Sequence, residues 1–149
     1  MIRVQQAPFD VGAEMAALAA GRTDIGAVAS FVGLVRDTAK GQPITAMTLE
    51  HYPGMTEAKL ADIEAQAQAR WPLQASLIVH RVGRMQPGEG IVLVLTASPH
   101  RAAALDACAF LIDWLKTKAP FWKCETLADG SEHWVEARDS DDQALARWL

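Results

Sequence analysis

Lys116 and Lys123 flank a rigid apolar break, Ala119-Pro120-Phe121-Trp122, within the stretch KTKAPFWKCE. Upstream, Ala102 to Leu115 follows an apolar helix pattern. Pro120 cannot continue that helix, because it lacks an N–H and its ring clashes with the preceding turn. The residue before it is pushed toward extended geometry. Lys116 therefore falls in the last helical turn and Lys123 on the strand that follows. A helix end with a sharp reversal can bring both ammonium groups to one place. Ammonium groups held together depress each other's pKa, and a lysine brought toward neutrality can shuttle protons or attack a carbonyl. The plainer alternative is two solvated lysines, with Lys116 complementing the helix dipole.

Two other places have the chemistry of anion ligands. Arg36-Asp37 ends a small, apolar run, Ile25 to Val35, and precedes a polar loop, Thr38 to Pro43. An arginine at the mouth of a buried strand is a candidate anion ligand; a surface Arg36–Asp37 pair of little consequence is the alternative. In Ser98-Pro99-His100-Arg101, serine at the N-cap and proline at the first helical position predict a helix start. Free N–H groups, the positive dipole end and two basic side chains there favour a phosphate or sulfate. An Arg101 that simply faces solvent is the competing reading.

The rest of the chain has to position these groups. With 149 residues, half of them hydrophobic and about a fifth charged, it has the makings of one globular domain spanning 1–149. A net charge of −4 gives no reason to expect nucleic acid as a partner. No apolar run reaches the roughly 20 residues of a membrane span, and the N-terminus lacks a signal-peptide core. Cys108 falls on the helix pattern, and two cysteines without a histidine at ligand spacing make no zinc site. A reducing cytoplasm fits. His51 and His80 lie on strands with no second ligand at useful spacing, as structural histidines do.

In chain order, Ile2 to Ala7 reads as a strand, and Asp10 caps a helix over Val11 to Ala20 that stops at Gly21. Ile25 to Val35 reads as a buried strand, with bulges or close backbone contacts at Gly26 and Gly33. Ile44 to Tyr52 is a strand; Thr56 caps a helix to Trp71 whose buried stripe is Leu60, Ile63 and Ala67. Ala75 to Met85 and Ile91 to Ala97 form a hairpin across Gln86-Pro87-Gly88-Glu89-Gly90. The following helix buries Leu105, Cys108, Ile112 and Leu115, with Asp113 and Lys116 placed to pair on its outer face. Phe121 to Leu127 and Glu132 to Ala137 are strands. Ser140 opens a short final helix by a capping box, and its apolar Leu145, Trp148 and Leu149 must dock on the body or on a partner.

Taken together, GAVASFVGLVRD, LEHYPGM, HRVG, SPHR, KTKAPFWKCE and HWVEAR, in this order and spacing, resemble the large, catalytic subunit family of molybdopterin synthase. The resemblance covers nearly the whole chain, and KTKAPFWK is its most specific part. It implies an α+β fold, a mixed or antiparallel sheet with packed helices of the α/β hammerhead type. The implied activity is sulfur transfer: cyclic pyranopterin monophosphate becomes the dithiolene, molybdopterin. The implied donor is a small ubiquitin-like subunit with a thiocarboxylate on its C-terminal Gly-Gly. No metal or organic cofactor is implied. The family's catalytic lysine falls on Lys116 and its second active-site lysine on Lys123. Its substrate-binding positions fall on Leu34, Val35, Arg36, His100, Arg101, Lys116, Lys123, Cys124 and Glu125. Cys124 stands where a basic residue is expected, which leaves its backbone as the contact. The alternative from another class is a non-catalytic module that binds the tail of a ubiquitin-like protein.

Helix geometry adds an expectation about assembly. His100 and Lys116 are 16 residues apart on one helix, or about 24 Å along its axis. One pterin cannot bridge that span. If both ends contact one substrate, they come from different subunits of a C2 homodimer. With one small partner per site, the complex is a heterotetramer.

Overall fold

The computed structural model describes residues 1–135 and 139–149. Thirteen elements alternate along the described chain: β1 (Ile2–Gln5), α1 (Val11–Ala19), β2 (Ala27–Leu34), β3 (Thr38–Ala39), β4 (Gln42–His51), α2 (Met55–Arg70), β5 (Ala75–Arg81), β6 (Gly83–Met85), β7 (Gly90–Ser98), α3 (Arg101–Thr117), β8 (Phe121–Leu127), β9 (Glu132–Trp134) and α4 (Asp139–Ala146). They build two sheets. The first has the order β1-β5-β7-β2, with β1 parallel to β5 and the other pairs antiparallel. The second runs β3-β4-β8-β9, with β6 also paired to β4. The class is α+β, as expected.

Alternation in β5 and β7 makes the first sheet the middle of three layers. Ile78, Val92 and Val94 face α2 and α3, where they meet Leu60, Ile63, Cys108, Phe110 and Leu111. Leu77, Val79, Leu93 and Leu95 face the other way, toward Val11, Met15 and Leu18 of α1. Fully burying each such side chain contributes about 1.5–3 kcal/mol. A third cluster, Val35, Met47, Leu49, Met85 and Ile91, packs with Phe121 beside the second sheet.

Several expectations are corrected here. The run Ala75 to Met85 is two strands, not one. β5 ends at Arg81, Gly83 takes φ +90°, and β6 pairs with β4 in the other sheet. Only glycine adopts that backbone angle without strain, so the chain changes sheets there. β2 is half-buried rather than buried, with Ala29 its single buried residue, because it lies at the sheet edge. Its register does shift at Gly33/Leu34. A Cβ on Gly26 would lie 1.9 Å from the Pro99 carbonyl oxygen, so the close contact expected there is present. The loop after Arg36 is a small hairpin, β3 to β4, turning at Lys40 and Gly41, both at positive φ.

Helix starts also move. Asp10 caps α1 as read, accepting from the Ala13 N–H at 2.9 Å. The N-cap of α2 is Gly54, whose N–H donates to Glu57. Thr56 lies inside the helix and is fully buried. The N-cap of α3 is His100, and Ser98 ends β7, its hydroxyl donating to the Pro72 carbonyl at 3.0 Å. Leu105 is 59% exposed and lies off the buried stripe, which is Ala104, Ala107, Cys108, Phe110, Leu111 and Leu115. α4 begins at Asp139, one residue before Ser140. The expected strand over Glu132 to Ala137 ends at Trp134, and 136–138 lie outside the described residues.

The chain end docks on the body. Leu145 is buried, and the Trp148 ring meets Trp71 and Phe110 edge-on at 5.6 Å from each. Asp113 accepts from Trp148 Nε1 at 2.7 Å and pairs with Arg147 at 2.9 Å.

Candidate active site

The two lysines are set by the break between them. α3 closes at Lys118, whose N–H donates to the Trp114 carbonyl at 2.8 Å, leaving Lys116 in the last turn. The chain then reverses, and the Phe121 N–H donates to the Ala119 carbonyl at 2.9 Å. The turn is tied down from α2. The Thr56 hydroxyl accepts from the Tyr52 N–H at 2.9 Å and donates to the Pro120 carbonyl at 3.1 Å. β8 pairs antiparallel with β4, Lys123 opposite Leu49 and Phe121 opposite His51. Strand alternation puts Phe121, Lys123 and Glu125 on one face and Trp122 and Cys124 on the other.

That face lines a cleft between the sheets. An inner chamber of about 110 Å³ is walled by Leu49, His80, Ile91, Phe121, Lys116 and Lys123, among others. An outer cleft of about 1070 Å³ is lined by Leu34, Arg36, Lys40, Lys116, Lys123 and Glu125, with His133 and Trp134 across from them. Lys116 and Lys123 belong to both spaces. The helix end and the strand thus converge on one cavity, and Arg36 joins them from the mouth of β2. Glu125 is buried, its Oε1 3.3 Å from His133 Nε2.

The other sequence candidates lie elsewhere. Val35 is in the core, with its backbone tied to Glu89 and Gly88. Cys124 is buried on the far face of β8, its thiol 4.0 Å from Glu132. Desolvation, and then Glu132, Glu50 and Glu125, hold that thiol above its usual pKa, so it is a poor nucleophile. His100 and Arg101 are exposed at the opposite end of α3 and line neither space.

A model of the MoaE protein family matches residues 4–118. The chain belongs to the MoaE family. Among its relatives, the molybdopterin synthase catalytic subunit of Ralstonia nicotianae is 57% identical over 147 residues, covering 99% of this chain and 83% of the relative. The molybdopterin biosynthesis MoaE protein of Burkholderia ambifaria is 55% identical with a TM-score of 0.85, covering 99% of this chain and 97% of that one. The molybdopterin synthase structure from Staphylococcus aureus is 31% identical with a TM-score of 0.83, covering 90% and 96%.

Sequence reasoning missed one wall of this MoaE cleft and one support behind it. His80 reads as an ordinary strand histidine, yet its ring forms part of the inner wall, stacked on Phe121. Thr56 reads as a helix cap, yet it holds the turn between the lysines. Phe121 was within reach: it lies two residues before Lys123 on a strand, hence on the same face. The partners of His80 and Thr56 lie across long loops of chain, which local pattern does not record.

Proposed function

We propose that this chain is the catalytic subunit of a molybdopterin synthase, which moves sulfur from the C-terminal thiocarboxylate of a small ubiquitin-like partner onto a phosphorylated cyclic pterin. Two such transfers give the dithiolene. The observation that carries the reading is the convergence of Lys116 and Lys123, from a helix end and a strand, on one cleft that Arg36 also lines. Thiocarboxylate, product carboxylate and phosphate are all anions, and the four cationic side chains on this cleft, Arg36, Lys40, Lys116 and Lys123, suit all of them.

In this reading Lys116 contacts the terminal carbonyl of the partner's tail and manages protons as sulfur departs. Lys123 binds the pterin and stabilises charge that develops on it. Leu34, Arg36 and Glu125 shape the substrate cleft, with Val35 and Cys124 contributing backbone. His100 and Arg101 serve the site of a second copy, since about 24 Å of helix separates them from their own Lys116. The working assembly is a homodimer carrying two small subunits, and the whole chain 1–149 acts as one catalytic domain. A cytoplasmic setting agrees with its free cysteines, Cys108 and Cys124. No helix among the described residues is long and apolar enough to cross a membrane.

The test is an assay with thiocarboxylated partner and cyclic pterin monophosphate, read by dithiolene formation. Product that depends on both substrates is expected. Partner binding without product would leave a tail-binding module instead.

A further inference from the structure

His80 crosses from one sheet to the other at the inner chamber. It belongs to β5 of the first sheet, is 8% exposed, and lies flat on Phe121 of β8 in the second. The ring centroids are 3.8 Å apart and the planes 16° from parallel. Its Nδ1 is 3.0 Å from the Arg81 carbonyl oxygen. A carbonyl only accepts, so Nδ1 carries the proton and Nε2 of the neutral ring is left with a lone pair. The ring lines the chamber that Lys116 and Lys123 also line.

We propose that His80 is a positioning residue for sulfur transfer: a neutral ring, fixed as the Nδ1–H tautomer, that clamps Phe121 and offers Nε2 to a lysine ammonium as a hydrogen-bond acceptor. The inference rests on the reading that the two lysines carry the reaction. An ammonium has three donors and no acceptor, so it can be aimed only by acceptors around it. An imidazolium could not do this, because both its nitrogens donate and its charge repels.

The surroundings keep the ring neutral. Burial above all, with Lys116 of α3, Lys123 of β8 and His51 of β4 adding to it, pushes the pKa down to about 4 against the opposing Arg81 carbonyl. Phe121 opens β8 and precedes Lys123 by two residues, so a ring seated on Phe121 also fixes where the Lys123 side chain leaves the strand.

Two measurements test this. Long-range proton–nitrogen NMR of the wild-type protein reads the tautomer without any turnover, from about pH 6 to about pH 8. A protonated Nδ1 and bare Nε2 throughout are expected; a protonated Nε2 overturns the proposal, whatever the assay gives. The second is kinetic. His80→Phe keeps a ring for the stack and removes the acceptor, whereas His80→Gln restores an acceptor near the Nε2 position. With fold and partner binding retained, His80→Phe should lower kcat about tenfold or more at nearly unchanged KM, and His80→Gln should recover most of it. A His80→Phe enzyme within about twofold of wild type, or a loss in both variants confined to KM, overturns the positioning role. Wild-type protein without any turnover, but with the expected tautomer, would refute the sulfur-transfer reading and leave the ring assignment standing.

Discussion

The two ends of α3 differ in what surrounds them. At the C-terminal end, Lys116 meets groups from β2 and β8 around a cavity, and buried Leu115 anchors the turn. At the N-terminal end, His100 and Arg101 are exposed and line neither the chamber nor the cleft, although Gly26 and Pro99 hold the backbone there tightly. One end opens on a cleft that two lysines share; the other is a pair of exposed basic side chains on a closely packed backbone. Basic groups left open on the surface suit a ligand shared with another molecule, whereas the cleft end suits a ligand held between several elements of one chain.

The largest effect should come from the cleft end. Lys116→Ala should cost about a hundredfold or more in turnover, with the fold and partner binding kept; near-normal activity would refute the catalytic role. Next comes the relation between the two ends. Lys116→Ala and Arg101→Ala proteins, each inactive alone, should complement after subunit exchange. Random exchange makes half the dimers mixed, and each mixed dimer has one intact site of two. About a quarter of wild-type activity should return. Proven mixed dimers with no recovery would mean that each site is built within one chain.

The buried ring at the cleft end predicts a pH dependence of stability. The folded-state pKa of His80 is lowered from 6.5 to about 4. Between those values the unfolded chain takes up a proton that the folded one refuses, so stability is full above about pH 6.5 and lost as pH falls toward about 4. The loss is up to about 3 kcal/mol. Urea titrations of wild type and His80→Phe across this window should diverge, the variant lacking this component. The smallest contrast concerns packing. Leu115→Ala should destabilise by about 2–4 kcal/mol, while Leu105→Ala, at a 59% exposed position, should stay within about 0.5 kcal/mol. Equal losses would mean that the open end is covered in solution.

Local signals carried the reading of the cleft end. Pro120 dictated the break, which set Lys116 in the last helical turn and Lys123 on the strand after it. The errors came where tertiary contacts outrank local chemistry. Ser98-Pro99 has the form of a cap, yet β7 runs on to Ser98 and the hydroxyl is taken by Pro72. Leu105 fits a helical stripe, but the stripe is chosen by what the first sheet presents, and that selects Ala104 and Cys108. Nothing local to Asp113 foretold that Arg147 and Trp148, from the end of the chain, would reach it. Val82-Gly83 gave no composition signal for a change of sheet; the turn depends on β4 being there to receive β6.

That change of sheet has a mechanical consequence. β5 and β6 are one run of chain with only Val82 between them, and Arg81 fixes the first-sheet side of that crossing by donating to the carbonyls of Gln6 and Gly90 and pairing with Glu89. A crossing of one residue tethers the two layers at that point, so any widening of the cleft has to pivot about Val82 and Gly83.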